Sequence, residues 1–369
     1  MKSEFLQRVI GHIDLDYFYA QVEEVENPAL KERPVIVCVF SGRTEDSGVV
    51  STANYVARGF GVRSGMPIVN AKKLLQGKDP AVIRMNHEKY EVVSTRIMDA
   101  LSEKVDVLEP TGIDEAFFDV TASTSGDFER ARTAAMGIKE AILSTEHLTA
   151  SVGLGRSKAV AKLGSDLAKP GGLKVVLPEQ TKDFLGPLAV EKLYGVGPKG
   201  ASLLKGAHIS TIGQLAGADP QELEKLFGKK LSVYLLEASK GNDSDPVRGD
   251  LEPTQFSRIV TLKEDTTDVE EILSQLETGV GHVHEKLSSS GKSFRTLTAI
   301  GILTDLSTKT KSKTYETPVS DEESIRGGLA ELFDEMSAVS DKQFRRVGVR
   351  VSGFTDARDQ KSLSDFLQA

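Results

Sequence analysis

In the first half of this chain, hydrophobic residues recur either at every second position or at helical spacing, which predicts strands and helices. Residues 13–18 read IDLDYF, and their side chains alternate as on a strand that ends near Tyr17. Residues 34–40, PVIVCVF, indicate a buried strand. Apolar residues at helical spacing predict helices over residues 20–30, 88–104, 128–144 and 157–168. We therefore expect a sheet with helices on one face, which is an α+β arrangement.

The pattern of hydrophobic and polar residues changes twice in the second half of the chain. Residues 176–240 have a helical pattern, and the polar stretch from Gly241 to Pro253 is typical of a linker. Beyond it, strands are predicted at Phe256–Leu262, Thr296–Thr304, Thr308–Glu316 and Arg345–Phe354. Helices are predicted at Val269–Leu287 and Asp321–Met336, which gives the order β-α-β-β-α-β. A chain of 369 residues with this pattern is expected to form two to three domains.

Carboxylates occur at two separated strand ends. Asp14 and Asp16 are predicted on one face of the first strand, and Asp114 and Glu115 follow a turn at residues 109–112. If that turn lies beside the first strand, then Asp14, Asp114 and Glu115 converge, and divalent cations are needed to offset their repulsion. Ligation by oxygen alone favours Mg²⁺, and two such ions about 3.5–4 Å apart support an in-line phosphoryl transfer.

Composition places limits on partners and location. The net charge of −8 argues against a uniformly basic nucleic-acid binder, so phosphate contact would need a local basic groove on an acidic body. Cys38 is the single cysteine and excludes an internal disulfide. No apolar run approaches the ~20 residues of a membrane span, and the N-terminus has no apolar signal core. We expect a cytoplasmic protein.

Four runs in order carry a family resemblance: DLDYFYAQVEE, SGRTEDSGVVSTANYVARGFGVRSGMP, GIDEAFFDV and ASVGLGRSKAVAKLGSDLAKPGG. With them the chain resembles the Y-family DNA polymerases, in the DinB (polymerase IV) branch of archaeal type, from about residue 9 to about residue 355. The resemblance implies a right-hand arrangement of palm, small fingers, helical thumb and little finger. The implied bounds are 1–17 and 84–175 for the palm, 18–83 for the fingers, 176–243 for the thumb, 244–253 for a linker, 254–355 for the little finger and 356–369 for a tail.

The resemblance also implies roles for individual residues. Asp14, Asp114 and Glu115 would be catalytic and would hold two Mg²⁺ together with the carbonyl of Leu15. Tyr19 would be the steric gate against ribonucleotides, and Val39 and Ser51 would roof the nascent base pair. Contacts to the incoming nucleotide would come from Tyr17, Phe18, Tyr19, Thr52, Tyr55, Arg58 and Lys169. His12 is expected to pack or to support the site without binding a metal.

Contacts to DNA would come from two regions. Gly195 and Gly197 lie in a helix-hairpin-helix pattern, where glycines let backbone N–H groups approach a phosphate; Tyr194 stands where the family usually has proline. In the little finger the candidates are Arg258, Lys309, Lys311, Lys313, Arg345, Arg346 and Arg350. The three lysines share one strand face by the two-residue period. Gln360, Leu363, Phe366 and Leu367 in the tail resemble a peptide that binds a sliding clamp.

These features together imply a template-directed DNA polymerase for low-fidelity translesion synthesis without a proofreading nuclease. Its expected partners are primer–template DNA, dNTPs and a sliding clamp of the proliferating cell nuclear antigen type, and the chain is expected to act as a monomer away from membranes. Two alternatives remain open from the sequence. A catalytically idle scaffold for DNA and clamp would share the thumb and tail, and a metal-dependent nuclease or cyclase could use similar acids.

Overall fold

The computed structural model describes residues 6–249 and 252–356, which divide into two units. The first unit takes in residues 6–39 and 49–249, and the second takes in residues 40–48 and 252–356. Among these residues, none of the helices is both long and apolar enough to cross a membrane.

Most secondary structure of the chain up to residue 249 follows the predicted pattern. Its strands are β1 (Ile10–Leu15), β2 (Val35–Phe40), β3 (Gly48–Ala53), β4 (Ala81–Arg84), β5 (Val107–Pro110), β6 (Glu115–Asp119), β7 (Ala150–Gly155) and β8 (Leu173–Val175). Its helices are α1 (Phe18–Glu26), α2 (Tyr55–Gly59), α3 (Ile68–Leu74), α4 (His87–Ser102), α5 (Thr121–Thr124), α6 (Phe128–Glu146), α7 (Lys158–Ala168), α8 (Thr181–Leu185), α9 (Pro198–Gly206), α10 (Ile212–Ala216) and α11 (Pro220–Ser239).

The palm is a five-stranded sheet in the order β5-β6-β1-β7-β8, with β1 at its centre. Side chains of β1 such as Ile13 and Leu15 pack in the core with α4 and α6. Ile10 lies on the opposite side and packs with Ala161 of α7, so helices cover both faces of the sheet. The expectation of helices on one face was wrong. Helix α7 can approach closely because a Cβ on Gly153 of β7 would lie 2.0 Å from the Ala161 carbonyl oxygen.

Along the chain, the fingers lie between the two palm segments, and the thumb follows the second palm segment. The fingers contain a three-stranded sheet in the order β3-β2-β4, in which β2 and β4 are parallel. The thumb is helical, as the pattern of residues 176–240 predicted. Helix α11 is interrupted at Gly228, whose φ of 74° and ψ of 164° are not helical. Only glycine adopts this conformation without strain, so the thumb contains a further helix–glycine–helix break.

The first part of the predicted linker is packed against the palm. Val247 is 8% exposed and packs with Ile10 and Phe117. The backbone N–H of Arg248 donates to Glu109 Oε2 at 2.7 Å. Residues up to 249 therefore belong structurally to the first unit, and a free linker beginning at residue 244 does not describe them.

The second unit confirms the β-α-β-β-α-β order. Its elements are β9 (Gln255–Thr266), α12 (Val269–Ser289), β10 (Lys292–Leu303), β11 (Thr308–Val319), α13 (Glu322–Ala338) and β12 (Phe344–Asp356). The strands form one antiparallel sheet in the order β11-β10-β12-β9. Leu297, Val347 and Val349 point to the face that α12 and α13 cover. The other face of the sheet is left open by the described helices.

Candidate active site

Strand pairing brings the three predicted carboxylates together at one end of the central strands of the palm sheet. Asp14 on β1 lies opposite Glu115 on β6 in the antiparallel register. The N–H of Leu15 donates to the carbonyl oxygen of Asp114 at 2.8 Å, which fixes Asp114 at the start of β6. The turn before β6 is closed because the N–H of Thr111 donates to the Glu115 carbonyl at 3.0 Å. Residues one hundred positions apart in sequence are therefore neighbours.

The local environment shifts the pKa values of the three carboxyl groups in different directions. Burial raises the pKa of Asp14 to about 6, and the neighbouring Lys169 opposes part of this rise. Burial and the charge of Glu115 raise the pKa of Asp114. The contacts of His12 and Lys162 lower the pKa of Glu115 to about 2. The site therefore contains one firmly ionised carboxylate and two whose charge the surroundings disfavour.

Two lysines supply positive charge to these acids. Lys169 Nζ donates to Asp14 Oδ2 at 2.7 Å, and Lys162 Nζ donates to Glu115 Oε2 at 2.6 Å. Within residues 6–249 and 252–356, no three His, Cys, Asp or Glu side chains are close enough to hold one ion. The donor set nevertheless fits hard divalent cations, because it offers only carboxylate and carbonyl oxygens and because the charge of Glu115 raises the pKa of both Asp14 and Asp114.

His12 supports the acids from the neighbouring strand position. Its Nδ1 lies 2.7 Å from Ser165 Oγ, and its Nε2 lies 3.6 Å from Glu115 Oε2. Burial lowers the pKa of His12, so it acts as a neutral partner. These contacts agree with the expected supporting role. Lys162 was not among the residues predicted from the sequence, although it lies seven positions before Lys169 and therefore on the same face of α7.

Three of the predicted nucleotide-binding residues are grouped beside α1. Tyr17 and Tyr55 pack edge to face with ring centroids 5.0 Å apart. The Arg58 guanidinium lies 5.1 Å from the Tyr55 ring centroid, and its Nε donates to the Ala53 carbonyl at 2.8 Å. Tyr17 also donates from its hydroxyl to Glu24 Oε2 at 3.0 Å. The predicted helix face carrying Tyr55 and Arg58 is therefore present, and Thr52 lies just before it on β3.

The aromatic run 17–19 divides between the core and the site. Tyr19 stacks on Tyr90, with ring centroids 4.4 Å apart and an interplanar angle of 17°. Burial and the charges of Asp114 and Glu91 raise the pKa of Tyr19. The ring of Phe18 is 1% exposed and packs in the core, so it does not contact a nucleotide; only its main chain is available.

The candidate roof residues lie on neighbouring finger strands. Val39 on β2 is 41% exposed, which is unusual for an aliphatic strand residue and leaves it available to a ligand. Ser51 on β3 is half-buried. Both side chains are small, so the surface they form is shallow.

Comparisons with known proteins identify the family of this chain. Residues 13–166 match the model of the impB/mucB/samB family, and residues 253–364 match the model of that family's C-terminal domain. DNA polymerase IV of Methanosarcina acetivorans is 44% identical over 98% of this chain and 100% of its own length. DNA polymerase IV of Nitrosopumilus maritimus is 37% identical over 97% of this chain and 99% of its own. This chain belongs to the impB/mucB/samB family of Y-family DNA polymerases.

Solved structures lead to the same family. A Y-family DNA polymerase chimera, Dbh-Dpo4(243-245)-Dbh, superposes with a TM-score of 0.88 at 35% identity, covering 94% of this chain and 98% of the chimera. The insertion ternary complex of Dbh DNA polymerase gives a TM-score of 0.68 at 35% identity, covering 93% of this chain and 98% of that one. The chain is thus a template-directed DNA polymerase of the translesion class, and polymerases of this family use divalent metal ions.

The thumb of this Y-family polymerase presents its predicted glycine hairpin. Gly195 has a φ of +92°, and a Cβ there would lie 2.9 Å from the Tyr234 ring. Gly197 is the N-cap of α9, so its position agrees with an N–H group that faces outward at a helix start. Tyr194 packs edge to face on Phe117 of the palm, with centroids 5.9 Å apart, and its carbonyl accepts from the Tyr234 hydroxyl.

The lysines of the little finger lie on the face of its sheet that carries the helices. Lys309, Lys311 and Lys313 alternate along β11 in phase with Tyr315, which packs into the core beneath the helices. Lys311 pairs with Glu335 and Lys313 pairs with Glu331, both on α13. Their shared face was predicted correctly; it is the helix-covered face, and the acids of α13 pair with two of its three charges.

The arginines of the same domain differ in direction. Arg258 alternates in phase with the core residue Leu262, and a Cβ on Gly279 of α12 would lie 3.5 Å from Arg258 Cγ. Arg258 therefore also faces the helices. Arg346 and Arg350 alternate with the core valines of β12, so they lie on the open face. Arg345 lies at the irregularity where the β12 register shifts.

Besides its arginines, the open face carries both hydroxyl and isoleucine side chains: Ile302 lies opposite Arg346, and Ile259, which is 36% exposed, lies opposite Gly348. Arg350 lies opposite Thr298 on β10 and Ser257 on β9, and Arg346 lies opposite Thr261. Thr298 is 1% exposed and its hydroxyl lies 2.8 Å from Ser312 Oγ, so it is the guanidinium groups that suit phosphate oxygens here. The four predicted clamp-binding residues, Gln360, Leu363, Phe366 and Leu367, lie outside the described residues.

Proposed function

We propose that Asp14, Asp114 and Glu115, with the carbonyl of Leu15, hold two Mg²⁺ and that the site transfers a nucleotidyl group from a dNTP to a primer 3′-hydroxyl. The observation that carries this proposal is the pairing of Asp14 with Glu115, together with the Leu15–Asp114 bond of 2.8 Å. When bound, such ions lower the pKa of the attacking hydroxyl and offset charge on the leaving pyrophosphate.

The chain's own side chains bind and orient the triphosphate. Lys169 reaches the edge of the acidic site from the end of α7, and its ammonium group can donate to phosphate as well as to Asp14. Tyr55 and Arg58 offer a hydroxyl and a planar cationic fork, which suit the terminal phosphates. The N-terminal end of α1 beside Tyr17 directs main-chain N–H groups towards the same region. Together these donors stabilise negative charge on the triphosphate as it breaks.

Template-dependent primer extension by the purified chain, with Mg²⁺ and dNTPs, tests this proposal directly. Extension by added nucleotides supports it. DNA binding without extension would favour the idle scaffold, and shortening of the DNA would favour a nuclease. Val39 and Ser51 form a small roof, which discriminates weakly by shape and suits low fidelity; we also propose that the chain has no proofreading nuclease.

Replacing Tyr19 by alanine should leave DNA synthesis active but weaken the discrimination between deoxyribonucleotides and ribonucleotides by on the order of 100-fold. The stack on Tyr90 fixes the ring of Tyr19, so removing the ring opens space for a 2′-hydroxyl. Single-nucleotide insertion of dNTP and rNTP measures the ratio. The matched control is Tyr19→Phe, which keeps the ring and should keep the selectivity. Unchanged selectivity in Tyr19→Ala would rule out the gate.

Removing Arg346 or Arg350 should weaken DNA binding at all sequences and reduce the slope of log K against log salt by about 1 per residue. Both lie on the open face of the little finger sheet, where a phosphate can approach. The matched control is Lys311→Ala, because Lys311 faces α13 and pairs with Glu335. Its slope should stay that of the unchanged protein. Binding measured by fluorescence anisotropy across a salt series checks both expectations, and equal slopes for Arg350→Ala and Lys311→Ala would contradict them.

The remaining partners are proposed on the resemblance of the C-terminal sequence. Gln360, Leu363, Phe366 and Leu367 have the spacing of a clamp-binding peptide, and we assign to them a sliding clamp of the proliferating cell nuclear antigen type. We also propose that the chain works as a cytoplasmic monomer. Its single cysteine, Cys38, is buried, which suits a reducing compartment.

A further inference from the structure

Asp16 is a buried carboxylate that the proposed chemistry does not use. It is 0% exposed although it lies only two residues from Asp14. Asp14 lies opposite Ser151 on β7, and the Asp16 N–H continues the pairing by donating to the Thr149 carbonyl at 3.1 Å, so the two acids share one strand face, as predicted. The chain leaves the strand at Tyr17, which has a left-handed φ of 34°.

Three donors from other parts of the palm surround the Asp16 carboxylate. Ser151 Oγ donates to Asp16 Oδ1 at 2.8 Å, and Thr149 Oγ1 donates to Oδ2 at 2.7 Å. The backbone N–H of Gly171 donates to Oδ2 at 2.8 Å. Gln21 adds a bond from Nε2 to the Asp16 carbonyl at 2.6 Å. The carboxylate oxygens of Asp16 therefore bind β7, the residue before it and the segment after α7.

The bond to Gly171 connects Asp16 with the lysine of the active site. Lys169 is the C-cap of α7, and the segment 169–172 leads from that helix into β8. Gly171 has a φ of +61°, so the segment takes a conformation that needs glycine and an external anchor. Lys139 Nζ donates to the Gly172 carbonyl at 3.1 Å and completes the anchoring from α6. Lys169 then extends from this fixed segment to Asp14 Oδ2 at 2.7 Å.

We propose that Asp16 is a positioning residue, which fixes the segment 169–172 so that the Lys169 ammonium group reaches Asp14 and the triphosphate. The inference rests on the proposed role of Lys169. Asp16 acts through the backbone of Gly171 and does not ligate a metal. Without its carboxylate, the Gly171 N–H and two hydroxyl groups lose a buried acceptor, and the segment is free to shift. A displacement of about 1 Å at a reacting group can cost on the order of 100-fold in rate.

Asparagine at position 16 separates positioning from ligation. Its amide oxygen can accept from Gly171 N and Thr149 Oγ1, and its amide nitrogen can donate to the Ser151 hydroxyl oxygen, which accepts as well as donates. Asp16→Asn therefore keeps the anchoring bonds but removes the charge that a metal ligand needs. Alanine removes both. We expect kcat/KM for dNTP to fall about 10- to 100-fold in Asp16→Ala and to stay within about threefold in Asp16→Asn.

The experiment measures single-nucleotide insertion by the full chain for Asp16→Ala, Asp16→Asn, Lys169→Ala and the double variant Asp16→Ala/Lys169→Ala. If Asp16 acts through Lys169, the double variant is no slower than Lys169→Ala alone, because the two losses are not additive. The Mg²⁺ concentration for half-maximal rate should be unchanged in Asp16→Asn. The control Asp127→Ala removes the N-cap of α6, far in sequence from the site, and should leave KM for dNTP unchanged.

Each outcome decides between distinct claims. Additive losses in the double variant, or an Asp16→Asn variant as slow as Asp16→Ala with a raised Mg²⁺ requirement, would overturn the positioning role. A slow Lys169→Ala together with a normal Asp16→Ala would overturn it and leave the role of Lys169 intact. A normal Lys169→Ala would instead refute that proposed role itself. If Asp16→Ala does not fold, Asp16→Asn still decides, because an inactive folded Asp16→Asn contradicts the inference.

Discussion

Replacing Asp114 by alanine is expected to reduce nucleotide insertion at least about 1000-fold, which corresponds to a rise of about 4 kcal/mol in the activation free energy. The carboxylate of Asp114 lies beside that of Glu115, and its main chain is fixed to Leu15. No other acid in this part of β6 can take its place, since Glu115 is already engaged by Lys162 and His12. Pre-steady-state insertion of one dNTP measures the loss.

The loss should arise from chemistry and not from unfolding. Burial and the charge of Glu115 raise the pKa of Asp114 in the folded protein above its ordinary value of 3.8. A raised carboxyl pKa means that the ionised group destabilises the fold at pH values above the folded pKa, and that this cost vanishes below the unfolded pKa. At neutral pH, without metal, Asp114→Ala should therefore unfold at no lower temperature than the unchanged protein.

A second acid on the same strand provides the control. Asp119 lies at the far end of β6, where its Oδ1 accepts from the N–H of Thr121 at 2.8 Å. Asp119→Ala loses this turn contact and should keep insertion within about threefold of the unchanged rate. DNA affinity should be the same in both variants. Activity above about a tenth of normal in Asp114→Ala would remove Asp114 from the catalytic site.

The sequence allowed us to predict the elements whose hydrophobic residues recur at a regular spacing and the residues that belong to a sequence motif. The acids of β1 and β6 could be placed together because a turn and two strand patterns flank them. The supporting Lys162 was available from its seven-residue spacing to Lys169, but spacing alone does not distinguish it from a solvated lysine. It is the contact with Glu115 that gives Lys162 a role.

Two cases show where periodicity has no information. The period of β11 predicted correctly that its lysines share a face, but the direction of that face depends on which side α13 covers. The period of β1 placed Asp16 on the face of Asp14 correctly, but it could not show that Ser151, Thr149 and Gly171 bind the Asp16 carboxylate. Both cases concern tertiary contacts, which the period of a single element does not contain.

The packing of the predicted linker against the palm also depends on tertiary contacts that the sequence pattern does not contain. Residues 241–253 are mostly polar and contain a single aliphatic anchor, Val247, before Leu251. A polar composition is typical of a free linker, yet here a carboxylate of the stretch joins a buried ion pair of the palm. Lys158 Nζ lies 2.7 Å from Glu109 Oε2, and Asp245 lies 3.2 Å from the same ammonium group. Composition cannot reveal this, since the partners are 49 and 87 residues away from Lys158.

Replacing Lys158 by methionine is expected to destabilise the first unit by about 3–5 kcal/mol. The side chains of Lys158 and Glu109 are 5% and 8% exposed, so the variant leaves Glu109 as a buried charge without its ammonium partner. The N–H of Arg248 would remain as a donor to Glu109, but a single neutral donor does not offset that charge. At about 2–4 °C per kcal/mol, the unfolding temperature should fall by on the order of 10 °C.

An exposed pair in the same unit gives the reference value. Lys205 and Glu191 in the thumb are 2.9 Å apart, with side chains 50% and 43% exposed, so Lys205→Met should cost less than about 1 kcal/mol. Removing both charges in Lys158→Met/Glu109→Met should recover most of the loss, because no unpaired charge is then buried. Thermal unfolding followed by circular dichroism compares the variants. If Lys158→Met unfolds no earlier than Lys205→Met, the ion pair does not hold the linker to the palm, and the apolar contacts of Val247 must do so alone.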